Sequence, residues 1–349
     1  MIDPQLIRTI FAIHFDPDSG TPYWLEQEKK AGINARKDIK TYADFHLLGS
    51  MDVQQLRSRP ITDFIPKSRI HLLPKMILSE TGGTTGSPCR RVFTPEEFES
   101  AFIRPWMNAV AMRHFPLQGK WLFAGPGGPH VIAQAARKMA RATGSLEPFS
   151  VDCDVRWFRR QDKQSLGFTL YLDHVLSQAM NIIATQEIDV LFTTPILLGQ
   201  LAEQMSEQQR EQIRGIHTGG MAQTSEQTAQ LQNAFPNAVI LPGYGNSLFG
   251  VTFEQTPPAA NEESVFTMDD PALWLQLVPL QEKDNIDLQA VQTANKRGRV
   301  VLHRFDPSFL LINLVERDTG CYANDGNCRK IYNVRPIEEP VKQQSGSVY

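Results

Sequence analysis

Cysteine is scarce: four in 349 residues, Cys89, Cys153, Cys321 and Cys328, with no two spaced as CxxC. That pattern argues against a disulfide-stapled scaffold and makes free thiols in a reducing, cytoplasmic setting the expectation. Cys321 and Cys328 can meet across Asn324-Asp325-Gly326, but two thiols do not make a zinc site. Charge of one sign is lacking too. A net charge of -3 with 21% charged residues gives no electrostatic case for nucleic acid or an anionic membrane. No apolar run approaches bilayer length, so no membrane span is expected. The start, MIDPQLIRTIFAIHF, has no basic region ahead of a long apolar core, so no signal peptide is expected. There is no internal repeat and no low-complexity tract. What remains is an ordinary globular composition, 41% hydrophobic, long enough for two or three packed layers.

Two familiar phosphate loops are also missing. No G-x-x-x-x-G-K-S/T string occurs, and no G-x-G-x-x-G opens a helix. The stretch ILSETGGTTGSPCRR, 77–91, is present instead. Thr81, Gly82, Gly83, Thr84, Thr85 and Gly86 run unbroken ahead of Ser87 and Pro88. Three glycines free the backbone for positive φ and close approach to a ligand, and three threonines add hydroxyl donors. Such a loop suits phosphate oxygens held in a nest of amides. From the residues alone, an ordinary flexible turn is the alternative.

The chain around this loop alternates in type. Short helices punctuated by Pro60, Pro66 and Pro74 precede it, and His14, His46 and His71 read as structural or solvated. Thr94-Pro95-Glu96-Glu97 carries a capping box and a proline suited to a first helical turn. Phe98, Phe102, Trp106 and Ala109 then recur at helical spacing, a core-facing side. Strands are expected over 120–124, 188–193, 212–217 and 238–241, with helices over 131–141, 170–185, from Thr194-Pro195 and from Thr224. That order predicts a mostly parallel sheet flanked by helices, with ligands at the strand ends. The strand-end turns are Gly125-Pro126-Gly127-Gly128-Pro129-His130, Thr218-Gly219-Gly220-Met221 and Pro242-Gly243-Tyr244-Gly245-Asn246-Ser247. His130 either lines a pocket or caps the following helix. Beyond 250, strand-like pieces at 264–267, 272–278, 299–303 and 310–314 predict a smaller β-rich subdomain. The division expected is therefore 1–250, 251–335 and a frayed tail, 336–349.

Thr81 to Pro88 resembles the phosphate-binding signature of acyl-adenylate-forming enzymes. That superfamily holds acyl-CoA synthetases, peptide-synthetase adenylation domains and luciferases, and the likeness is to its phenylacetate–CoA ligase branch. The resemblance implies an α/β fold, the large N-terminal domain of such an enzyme. It implies ATP or AMP held by Thr81, Gly82, Gly83, Thr84, Thr85 and Gly86. Gly219, Gly220 and Met221 would lie along the adenine, with the Tyr244 ring stacked on it. Asp318, closing the segment from Leu311, would accept from both ribose hydroxyls. Phe123, Gly127, His130, Pro195 and Gly243 would line the pocket of an aromatic carboxylic acid. The implied function is activation of that acid by adenylation.

The departures from the family carry equal weight. Cys89 stands where the family usually has Lys, with Arg90 and Arg91 next. Leu248 stands at the usual Glu position, so Mg²⁺ would rest on nucleotide oxygens, waters and a Thr84 or Thr85 hydroxyl. The stretch after Asp318 is too short for the mobile C-terminal domain that delivers a catalytic Lys, and Lys342 is no replacement. Arg90, Arg91 and Arg317 are the candidate substitutes, and no catalytic residue or protein-held metal is assigned. Taken together these departures resemble a shortened branch tied to phenazine antibiotic biosynthesis, which would make the acid a phenazine carboxylate. The alternative is a non-catalytic nucleotide- and aryl-acid-binding chain, or a subunit whose protein partner supplies the Lys. A serine hydrolase fits poorly, because Gly245 to Gly250 is one residue too long for G-x-S-x-G.

Overall fold

The structure is a computed structural model that describes residues 3–82, 86–128, 130–158, 160–220, 223–258, 262–281, 286–323 and 329–337. Gly83, Thr84, Thr85, Pro129, Met221, Asn324, Asp325, Gly326, Cys328, Lys342 and the tail beyond 337 lie outside the described residues.

Strands occupy Ile77–Glu80 (β1), Arg90–Phe93 (β2), Trp121–Gly125 (β3), Phe149–Asp152 (β4), Val190–Thr193 (β5), Gly215–Thr218 (β6) and Val239–Asn246 (β7). They continue with Gly250–Glu254 (β8), Val265–Thr267 (β9), Leu273–Pro279 (β10), Arg297–Phe305 (β11), Leu310–Tyr322 (β12) and Lys330–Pro336 (β13). β1 and β2 form an antiparallel ribbon that brackets the glycine loop. The others form one sheet in the order β10-β11-β12-β13-β9-β8-β7-β6-β5-β3-β4. β4, β3, β5, β6 and β7 run parallel, and from β7–β8 onward the pairing is antiparallel.

β3, β5 and β6 are buried at every position. Side chains alternate between faces along a strand, so each face needs its own cover. Trp121 and Phe123 pack with Phe98, Phe102, Trp106 and Met139 on one side. Leu122 and Ala124 pack with Val175, Leu176, Ala179 and Leu198 on the other. The aromatic stripe from Phe98 to Trp106 is a core face, as its spacing predicts, and it crosses a π-turn at Glu99–Ile103. Both hydrogen bonds of the Thr94–Glu97 capping box are made.

The antiparallel half is covered by the N-terminal helices. Ile7, Ile10 and Phe11 from helix Pro4–His14 join Leu302, Phe305 and Ile312 in one core. His14 is fully buried, its Nε2 on the Asp306 carbonyl at 2.9 Å and its Nδ1 2.6 Å from the Thr21 hydroxyl. A carbonyl only accepts, so Nε2 carries the proton and the neutral ring is structural.

Three strand bounds differ from expectation by more than two residues, each for a local reason. Gln212 belongs to helix Glu207–Gln212, which starts on a Ser206–Gln209 capping box, so β6 begins at Gly215. Pro242 to Asn246 is strand rather than turn, because β8 pairs with it from Gly243 to Asn246. Gly245 permits this approach: a Cβ there would lie 2.2 Å from the Gly250 carbonyl oxygen. β12 continues through Val315-Glu316-Arg317-Asp318 to Tyr322, because β11 and β13 supply hydrogen-bond partners on both sides despite the polar sequence. Asp318 is thus a mid-strand residue paired with Pro336, not a strand-end one.

Candidate functional site

The glycine loop leaves β1 through a closed neck. The Thr81 N–H donates to the Cys89 carbonyl at 3.0 Å, and the Cys89 N–H donates to Thr81 Oγ1 at 2.9 Å. Glu80 stands just before this neck. Its Oε1 accepts from Arg90 Nε and its Oε2 from Arg156 Nη2, both at 2.7 Å. Burial raises the Glu80 carboxyl, but the hydrogen bonds from Arg156 and Arg90 outweigh it and hold the group below the usual carboxylate range. Ser79 Oγ donates to the Ser247 carbonyl at 2.7 Å, which ties β1 to the β7–β8 turn. Beyond the loop, Gly86 has φ +141°, and Arg57 Nη1 lies 3.5 Å from where its Cβ would be.

Arg91 does not face the loop. It is fully buried, donating to the Leu248 carbonyl and to Asp306 Oδ2, the latter at 2.6 Å, with its guanidinium 3.7 Å over the Phe93 ring. This removes it from the candidate cations named from the sequence. Leu248 is buried in the apolar core beside Phe249. Among the described residues no three His, Cys, Asp or Glu side chains are placed to hold a metal ion. Leu248 thus offers no carboxylate ligand at its position.

Gly219 and Gly220 follow β6 directly, one strand spacing from Gly243 and Tyr244, since Thr218 pairs with Pro242. Gly220 has φ +81°, and at both glycines an added Cβ would meet nothing within 4 Å. Thr218 Oγ1 donates to Gln223 Oε1 at 2.9 Å, bracing the turn. Across this opening, the Tyr244 hydroxyl donates to Asp318 Oδ2 at 3.0 Å. One step along both strands, Asn246 Nδ2 donates to Glu316 Oε1 at 3.0 Å. Residues two apart share a strand face, so β7 and β12 meet as two rungs of one ladder. Three strands separate them in the sheet, which must curl to bring those faces together. The Tyr244 ring sits 5.6 Å from Phe249 and 5.8 Å from Phe266. Burial, reinforced by the Asp318 charge, pushes the Glu316 carboxyl up to about 7. Burial also raises Asp318, and the Tyr244 bond partly opposes it.

The residues expected to line an acid pocket end the parallel strands. Gly127, after β3, donates its N–H to Asp152 Oδ1 at 2.7 Å. His130 is buried at the N-cap of helix Val131–Ala142 and makes no side-chain capping bond. Pro195 opens helix Pro195–Gln204 after β5, capped by Thr194. Phe123 packs edge-on to Phe192 at 5.3 Å within the core. Gly243 lies over His217, where a Cβ would stand 2.9 Å from Cε1. His217 Nδ1 donates to the Leu241 carbonyl at 2.8 Å, ringed by Phe192, Trp106 and Phe253, and burial lowers its pKa to about 4.

Four residues of this region were given no role from the sequence: Glu80, Arg156, Asn246 and Glu316. Glu316 was legible in one way only. It stands two residues before Asp318, which places it on the same face once the strand is known to continue. Arg156 reaches Glu80 across 76 positions, which no local pattern encodes.

No protein-family model and no curated protein matches this sequence. Solved structures do match. One is an open conformation of 2-hydroxyisobutyryl-CoA ligase in complex with 2-HIB-AMP and CoA, with a TM-score of 0.63 and 15% identity. The match covers 95% of this chain and 72% of that one. The same ligase in its postadenylation state with 2-HIB-AMP matches with a TM-score of 0.64 and 14% identity, over 95% of this chain and 65% of that one. The chain thus spans about two thirds of these ligases. No described helix is long and apolar enough to cross a membrane. In its large sheet flanked by helices with a small antiparallel ribbon, this chain shares the fold of that ligase over nearly its whole described length.

Proposed function

We propose that this chain binds an adenosine nucleotide across the ends of β6, β7 and β12 and activates an aromatic carboxylic acid by adenylation. The observation that carries the reading is the Tyr244–Asp318 hydrogen bond beside the open backbone of Gly219 and Gly220. Asp318 accepts from the ribose hydroxyls, Tyr244 offers its ring to the base, and the glycine pair lets the adenine lie against the main chain. The phosphates are assigned to the 81–86 stretch from its glycines and threonine hydroxyls. The acid lies against Gly127, His130, Pro195 and Gly243, with Phe123 behind them. A phenazine carboxylate is the finer assignment of the acid, destined for later reduction or transfer in antibiotic biosynthesis. Three buried cysteines free of disulfides, Cys89, Cys153 and Cys321, fit a reducing cytoplasm.

A second reading is favoured by buried Leu248: a chain that holds nucleotide and acid without turnover, or one that works with a partner's lysine. Calorimetry with AMP tests the shared part. Wild type binds, and Asp318→Ala weakens binding about tenfold or more, the worth of hydrogen bonds to a charged group. No affinity for AMP or ATP in the wild type, with or without Mg²⁺, would sink both readings. Pyrophosphate exchange over a panel of aryl acids, including phenazine carboxylates, separates them: exchange supports catalysis by this chain, and binding without exchange supports the second reading.

A further inference from the structure

Adenylation brings two anions together at the α-phosphorus, so the site needs positive charge near the polyphosphate. Leu248 offers no carboxylate to hold a metal, and Arg91 is spent on Asp306 in the core. Two cations stand elsewhere at the neck of the glycine loop. Arg90 comes from the strand leaving the loop, and Arg156 from the segment after β4, at the same sheet edge where the parallel strands end. Both rest on the Glu80 carboxylate. Two guanidinium charges on one carboxylate leave a net positive charge at the neck. The Nε of Arg156 is buried and, among the described residues, has no hydrogen-bond partner. Buried donors are rarely left unmatched, and such a group at a phosphate loop suits an anion.

We propose that Arg90 and Arg156, gathered on Glu80, are the site that receives the β- and γ-phosphates of the nucleotide and the pyrophosphate leaving group. Glu80 is their positioning residue: it aligns the two guanidinium groups without neutralising both. The arginines supply positive charge where Leu248 leaves no carboxylate to hold a metal. The inference deepens the nucleotide reading above and rests on it for the identity of the anion.

The test uses the full chain and three probes: inorganic pyrophosphate, ATP and AMP, each titrated calorimetrically at low salt. Wild type is expected to bind pyrophosphate. Arg156→Gln and Arg90→Gln each weaken pyrophosphate and ATP about tenfold while leaving AMP unchanged, since AMP has no β- or γ-phosphate. Arg156→Lys recovers part of the loss by restoring the charge without the fork of donors. Arg90, 45% exposed, is the substitution least able to disturb the fold and carries the test if Arg156→Gln fails to fold. AMP binding with pyrophosphate and ATP affinities unmoved by Arg90→Gln and by Arg156→Gln or Arg156→Lys overturns the clamp and leaves the nucleotide reading standing. Arginine-dependent pyrophosphate binding without AMP binding does the reverse. A wild type that binds neither pyrophosphate nor ATP overturns the clamp outright.

Discussion

Ser79 Oγ and the Ser247 carbonyl meet at 2.7 Å, so the strand entering the glycine loop is pinned to the turn of the hairpin that carries Tyr244. Loop and hairpin are thereby one unit, although they are far apart in the chain. Ser79→Ala is expected to cost about 1 kcal/mol of stability, the net worth of one hydrogen bond. It should also weaken ATP binding, although Ser79 is fully buried beneath the loop. Urea unfolding and calorimetry on the same variant check both halves, and an unchanged ATP affinity would show that the pin does not matter to the site.

The buried Arg91 gives a contrasting expectation. Arg91 and Arg304 share Asp306, and Arg304 also pairs with Asp270 at 2.8 Å. Arg91→Ala removes one partner of a desolvated pair and is expected to cost about 3–5 kcal/mol. Arg91→Met, which keeps much of the volume over Phe93, should cost less. Equilibrium denaturation of the two variants measures the difference. Equal losses would indicate that packing, not the ion pair, dominates.

Stability should depend on pH through four buried or half-buried groups. Burial lowers His14 and His217 from 6.5 to about 4 and His303 to about 3. On acidification the unfolded chain takes up protons there first, so these three stabilise the fold above pH 6.5 and that stability is lost as pH falls toward 4. Glu316 acts with the opposite sign. Its carboxyl rises from 4.5 to about 7, so the folded chain keeps a proton that the unfolded chain has released, and stability is lost as pH rises through that window. The three imidazoles are set against Glu316 and the smaller upward shifts of Asp318, Glu97 and Glu254, and the melting temperature should fall on acidification below about pH 6. Glu316→Gln removes the opposing group. The melting-temperature difference, variant minus wild type, should grow from pH 4.5 to 7, and a flat difference would contradict the assignment.

Glycine at 243 and 245 is required by close contacts rather than by backbone angle. A Cβ on Gly245 would strike the Gly250 carbonyl, which is backbone and cannot step aside. A Cβ on Gly243 would press on His217, Phe253 and Val251 side chains. Gly243→Ala should destabilise by about 1–3 kcal/mol, the usual cost of overpacking, and Gly245→Ala by more. Thermal unfolding ranks the two, and the reverse order would show that the hairpin yields more easily than the aromatic box.

Much of this was legible in the sequence, because local rules and tertiary outcome agreed. The Thr94–Glu97 capping box, the Phe98–Trp106 stripe and the short apolar strands expected at 120–124 and 188–193 all read from spacing alone, the strands lying at Trp121–Gly125 and Val190–Thr193. The site was legible in part. Tyr244 and Asp318 were singled out, and the structure brings them into contact, but both sit inside strands rather than at strand-end turns. The polar run Glu316-Arg317-Asp318 hid β12's continuation, since pairing on both sides overrode residue preference. Glu80 and Arg156 were illegible, because their contact depends on where β4 ends relative to the loop.

The His14 imidazole finds its acceptor 292 positions further on, at Asp306. During synthesis the helix Pro4–His14 therefore has no seat until β11 has emerged. Refolding from denaturant should be slow for the same reason, since such distant contacts must close before their burial rewards them. Until then Ile7, Ile10 and Phe11 stand open to other chains, and chaperone protection early in synthesis is where this architecture is most exposed to failure.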